Sequence, residues 1–347
     1  MSTDTRARSG PAGLVIAVLS CGALLTSCGG GDHTYHVGGD PSGMVASADG
    51  RRLVVEDGWR GQISVIDLAG DEVANVTLAR QAAAGPNGRL WDGPGVALAL
   101  SPDGRRTYVG GAGADPSGTG SGIGSVTVLD NDEPAPQLTV PVPAFGAMAL
   151  SPDGRTLYLV GSGRSGGPLR MLDAGTLRPT GQFPLDSAVY SAQCAAVSPD
   201  GRELYLCGDR GQLHVVDLVG RRSVGSVPLQ VSGSNMVLSP DGRLAYLTGG
   251  DQAGVDVVEL AARRVTAHLD IVPSQGMAIS PDGKWLFVDS ASRRRRGGYS
   301  TVAVVATDKL AVTDTIDTRH KGRSLAVSRD TETLYVIDGP WVRAFDR

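Results

Sequence analysis

Between residues 34 and 347 the chain repeats one order of apolar and polar blocks. A short apolar strand such as Val96-Ala97-Leu98-Ala99-Leu100 runs into a polar tetrapeptide, then in most copies a basic residue, then a β-rich run such as Thr107-Tyr108-Val109. The tetrapeptide recurs seven times, starting at Ser47, Ser101, Ser151, Ser198, Ser239, Ser280 and Ser328. Five copies read Ser-Pro-Asp-Gly, while the first has Ala48 for proline and the last reads Ser328-Arg329-Asp330-Thr331. Proline presets φ, aspartate caps the backbone and glycine accepts the left-handed conformation, so each copy predicts a tight turn between two antiparallel strands. A third strand follows, often ending in an acid, as in Val65-Ile66-Asp67 and Val215-Val216-Asp217. A fourth, more polar strand such as Gly225-Ser226-Val227-Pro228-Leu229 leads into the next copy.

Successive copies start 54, 50, 47, 41, 41 and 48 residues apart. The mean, about 47, is the length of one four-stranded propeller blade. The pattern therefore predicts an all-β chain forming a single seven-bladed β-propeller of four-stranded antiparallel blades over residues 34–347. The last copy stops after its third strand, Ala344-Phe345-Asp346. Aligning Tyr35-His36-Val37-Gly38 with Gly225-Ser226-Val227-Pro228 puts residues 34–38 at a fourth-strand position, and predicts that they pair with residues 341–345 to close the ring. Joining the two chain ends in one blade removes the open seam of the circle.

Strands alternate in direction within a blade, so the repeated turns share one rim, the turn rim. Connections from strand two to three, and from strand four to the next blade, share the opposite one, the loop rim. Length varies on the loop rim, at residues 80–95, 110–124, 161–167 and 290–299. Variable loops on a rigid ring are where recognition is usually placed.

These residues resemble the bacterial YVTN-type β-propeller repeats, in which a Ser-Pro-Asp-Gly turn precedes a Tyr-Val-Thr-Asn strand. Here the strand reads Tyr108-Val109-Gly110-Gly111, Tyr246-Leu247-Thr248-Gly249 and Tyr335-Val336-Ile337-Asp338. The resemblance covers nearly all of residues 34–347 and implies a seven-bladed propeller. Such propellers serve as lactonases, quinoproteins and binding scaffolds, so function must come from the site.

The N-terminus carries a separate signal. Arg6 and Arg8 precede an apolar stretch over residues 14–25, too short to span a bilayer, which fits a signal peptide over residues 1–27. Leu25-Thr26-Ser27-Cys28 resembles the lipobox of bacterial lipoproteins. That resemblance implies cleavage before Cys28 and lipid on its sulfur, with residues 28–33 as a short tether. The expected address is the outer face of the cytoplasmic membrane, and the membrane, through Cys28, is the first expected partner. Cleavage before Cys21 is the alternative, with a bulkier residue, Leu19, in the middle of its recognition site.

Composition narrows the partners. The chain has 36 acidic and 32 basic residues, a net charge of -4, and 49 glycines with 20 prolines. That is a turn-rich folded chain without the basic excess that duplex nucleic acid requires. On the loop rim, Arg293, Arg294, Arg295 and Arg296, with Arg164 and Arg89, present guanidinium forks suited to an anionic envelope polymer. A solvated charged loop is the competing reading. Trp91 and Asp92 place an aromatic and an acid where a sugar stacks, or where a tryptophan covers the channel mouth. Asp92 and Asp115, with Glu56 and Asp57, suggest an outward acidic group, yet no loop has EF-hand spacing and no metal is assigned.

No nucleophile elbow or phosphate loop is present, and the five histidines show no ligand grouping. Catalytic residues and cofactors are therefore not assigned. Cys194 and Cys207 flank the fourth turn; if Val197 pairs with Leu204 they face one another, which predicts a disulfide in an exported protein, against two buried thiols. A binding scaffold for a ligand or protein is the reading taken forward. A propeller hydrolase or lactonase, and an accessory subunit of an envelope redox or transport assembly, are the alternatives.

Overall fold

The computed structural model describes residues 20–21, 33–57, 61–78, 96–111, 123–161, 167–186, 189, 192–208, 211–249, 252–271, 276–291, 300–318 and 324–346. These residues form seven antiparallel sheets and no helix. Blade 1 contains Gly43–Ala46, Arg52–Asp57, Gln62–Asp67 and Glu72–Thr77 from the centre outward. Blades 2 to 6 repeat that order, beginning at Val96–Leu100, Phe145–Leu150, Ala192–Val197, Asn235–Leu238 and Met277–Ile279. Each innermost strand lies against the next, and Leu325–Val327 of blade 7 lies against Gly43–Ala46, so the circle is complete. A two-residue strand, Ser20–Cys21, adds to the outer edge of blade 1.

Closure uses both chain ends, as the alignment predicts. Thr34–His36 pairs with the third strand of blade 7, Trp341–Asp346, with Tyr35 opposite Val342. The strand is shorter than residues 34–38 because Gly38 and Gly39 take φ of 72° and 66°, and the N–H groups of Val37 and Gly38 both turn to the Pro340 carbonyl. Tyr35 donates its hydroxyl to Asp71 of blade 1 at 3.0 Å, fastening the closing strand to the neighbouring blade.

The core is divided into seven slabs, one at each blade junction. Along the second strand of blade 4, Leu204 and Leu206 pack against blade 3, whereas Tyr205 and Cys207 pack against blade 5. Side chains alternate across a strand, so a blade covered on both faces needs an unbroken apolar run. Burying each such side chain contributes about 1.5–3 kcal/mol, which makes the junctions the main source of stability.

The turns form a set of their own on one rim. In the second copy the Ser101 carbonyl accepts the Gly104 N–H at 2.8 Å, and the Ser101 hydroxyl donates to Asp103 while accepting the Arg106 N–H at 2.9 Å. Gly104 has φ of 69°, and the equivalent glycines lie between 69° and 73°. The turn glycines also approach the preceding turn: a Cβ on Gly154 would fall 2.8 Å from Pro102, and one on Gly242 would fall 2.8 Å from Pro199. Across the seam the two irregular copies meet, with Gly50 against the side chain of Arg329. The acids ending the third strands serve a second set of turns on the same rim, as where Asp217 accepts the N–H groups of Val219 and Gly220.

Candidate functional site

The longest connections all fall on the loop rim. Arg89, Trp91, Asp92, Arg164 and the run Arg293, Arg294, Arg295 and Arg296 lie outside the described residues, as does Cys28. The described part of that rim consists of the strand ends that carry those loops. Their chemistry differs around the ring.

Two consecutive positions at the end of each second strand set this difference. The first faces the following blade and is Glu56, Gly110, Val160, Cys207, Thr248, Asp289 and Ile337 in blades 1 to 7. The next faces the preceding blade and is Asp57, Gly111, Gly161, Gly208, Gly249, Ser290 and Asp338. Blades 2 to 5 thus end on glycine, whereas blades 6, 7 and 1 carry four buried carboxylates. Exposure is 3% at Glu56 and 5% at each of Asp57, Asp289 and Asp338.

The glycines and the acids do the same local job in different ways. A Cβ on Gly249 would fall 2.6 Å from the backbone nitrogens of Ser232 and Gly233, so glycine lets the incoming connection pack directly on the strand. In blade 1, Asp57 instead accepts the N–H of Asp40 at 2.9 Å and holds the connection by a charged hydrogen bond. Asp338 pairs with Arg343 inside blade 7.

Glu56 shares that task with only one of its oxygens. Its Oε1 accepts the Ser42 hydroxyl at 2.9 Å, and its Oε2 is buried without a hydrogen-bond partner. Burial pushes its carboxyl up to about 7; the Ser42 bond opposes this and the charge of Asp57 adds to it. Gly43 lies opposite Glu56 on the inner strand, and a Cβ there would meet Oε1 at 2.8 Å. The missing side chain is what lets the carboxylate fold across the inner strand. Glu56 and Asp57, expected as part of an outward acidic group, are instead buried and face opposite sides of one strand, because the strand runs through Asp57. Among the described residues no three His, Cys, Asp or Glu side chains are placed to hold a metal ion.

Two further polar sites are structural clamps. Asp256 accepts the N–H groups of Gln230 and Val231 and lies 2.7 Å from Nδ1 of His268, tying blade 5 to the connection from blade 4. Gly254, at φ 116°, leaves the space that the His268 ring fills. In blade 4, Val197 pairs with Leu204 and Cys194 with Cys207, with Cα atoms 5.1 Å apart and the sulfurs in bonding contact. On the turn rim, a groove of about 600 Å³ separates blades 7 and 1 and one of about 490 Å³ separates blades 2 and 3. Both are lined mainly by turn residues whose polar groups already serve the turns.

No family model and no curated protein matches the chain. Solved structures do match. A chain of Kuenenia stuttgartiensis hydrazine synthase is 19% identical with a TM-score of 0.68, covering 89% of this chain and 96% of that one. The Myceliophteria thermophila Cps50 (Swd1) β-propeller domain is 11% identical with a TM-score of 0.69, covering 89% and 97%. The chain is a seven-bladed β-propeller. At these identities the likeness is one of fold.

Proposed function

We propose that this chain is an exported lipoprotein, anchored through Cys28 at the outer face of the cytoplasmic membrane, whose propeller is a binding scaffold for an anionic envelope polymer or a protein partner. The observation that carries the reading is the direction of the closing strand. Thr34–His36 runs antiparallel to the final strand and enters from the turn rim, only a few residues after Cys28. A lipid on Cys28 therefore brings the turn rim toward the membrane and turns the loop rim away from it. The loop rim is also where the sequence places Arg89, Trp91, Asp92, Arg164 and the four consecutive arginines.

Guanidinium groups on several loops suit a repeating anion better than a single small ligand, because each contact is weak in water and several act together. The test has two parts. Replacing Cys28 with alanine should move the protein from the membrane fraction to the soluble one. Titrating the full chain with polyglycerol phosphate should raise its melting temperature, and the rise should disappear when Arg293 to Arg296 become serine. A membrane-bound Cys28→Ala variant, or a shift indifferent to the four arginines, overturns the corresponding half.

A further inference from the structure

Glu56 carries the buried carboxylate oxygen that the described fold leaves unsatisfied. Its equivalents in blades 3 and 7 are Val160 and Ile337, so an apolar side chain fits this position in the ring. A buried carboxylate there destabilises the fold unless something pairs with it. The serine above it satisfies Oε1 alone, and Oε2 is buried, unpartnered and one residue from the loop rim. Val54, two residues earlier on the same strand, packs with Ile63 and with Val109 of blade 2, so Glu56 faces the same largely apolar junction. Gly111 of blade 2 leaves that side without a side chain as well.

From this geometry we infer that Glu56 and Ser42 form a binding site, at the loop-rim end of the junction between blades 1 and 2, for the N–H donors of an organic monocation, an ammonium or guanidinium group. A monocation matches the charge of one carboxylate, and its N–H groups supply the donor that Oε2 lacks. Ser42, having given its proton to Oε1, retains lone pairs for a second N–H. A divalent metal fits less well, since it takes several oxygen ligands and no third acidic group is at hand among the described residues. Such a cation is either free or carried at the end of a partner's lysine or arginine. The site is defined without Arg293 to Arg296 and stands whether or not the chain is anchored.

Calorimetric titration of the full chain tests it, using methylguanidinium, n-butylammonium and a blocked Ala-Arg-Ala peptide, with tetramethylammonium and calcium as controls. The N–H cations should bind saturably, and Glu56→Gln should weaken them at least tenfold. Gly43→Ala, which keeps the charge but crowds Oε1, should weaken them as well; near-UV circular dichroism reports whether each variant is folded. Binding of the free cations assigns the site to small molecules, and binding of the peptide alone assigns it to a partner's side chain. The inference is overturned if no N–H cation saturates, if tetramethylammonium or calcium binds as tightly, or if Glu56→Gln binds within twofold of the parent.

Discussion

On the turn rim, all seven repeat aspartates accept a hydroxyl from the serine two residues before and an N–H from two residues after, from Ser47, Asp49 and Arg51 to Ser328, Asp330 and Glu332. On the loop rim, Glu56 is buried with one oxygen satisfied and the other not. The same residue chemistry is thereby driven in opposite directions. The serine hydroxyl lowers the carboxyl of Asp153, and of its six equivalents, below the usual range, whereas desolvation raises that of Glu56 to about 7. The turn aspartates thus favour the folded state above the pH range where unfolded aspartate titrates, and that support is lost as pH falls through their lowered values. Glu56 works against folding as pH rises from the ordinary carboxylate range to about 7, because the unfolded chain gives up its proton first, and that cost is relieved as pH falls back through the same range. One rim is built to hold the ring; the other keeps a group that the ring would be more stable without.

The ring-holding side breaks most readily at its closure. Tyr35→Ala removes a buried ring from the junction of blades 7 and 1 together with the bond to Asp71, and should cost about 4 kcal/mol by denaturant unfolding. A result near zero would mean that the closing strand is an ornament. Cys194 and Cys207 are 13 positions apart, so replacing both with serine should cost about 3 kcal/mol if they are oxidised; intact-mass analysis after alkylation under denaturing, non-reducing conditions reads their state independently. Ser151→Ala removes both the donor to Asp153 and the acceptor for the Thr156 N–H, for about 2 kcal/mol. The smallest effect has the opposite sign. Thr331 holds φ at 68° where other copies have glycine, and Thr331→Gly should stabilise by up to about 1 kcal/mol, seen as a small rise in melting temperature.

The difference between the rims also explains what the sequence makes legible. The turns can be read directly because proline, aspartate and glycine within four residues fix their geometry, and the seven copies then fix the blade number. The closing strand is legible because residues 34–38 align with a fourth strand, although its end at His36 depends on Pro340, far away in the chain. The hairpin around Ser198 gives the Cys194 and Cys207 register by simple counting. Glu56 is a different case. Beside Asp57 it reads as part of an exposed acidic group, and its role comes from Gly43 on the adjacent strand and from a junction that only the folded ring assembles. A repeat exposes what is common to its copies, and this acid lies at a position where the copies differ. The arginine-rich loops are legible as charge alone, since charge does not fix where a side chain points.

The most direct test of unequal rims is the stability of the parent and of Glu56→Gln measured side by side from pH 4 to pH 9. A carboxyl raised to about 7 from an ordinary 4.5 implies that the variant matches the parent near pH 4 and gains about 3 kcal/mol over it by about pH 7.5, with the divergence building between pH 4.5 and pH 7 and level above that. Two parallel curves, or a variant less stable than the parent at high pH, would contradict the claim that the loop rim keeps Glu56 at the expense of the fold.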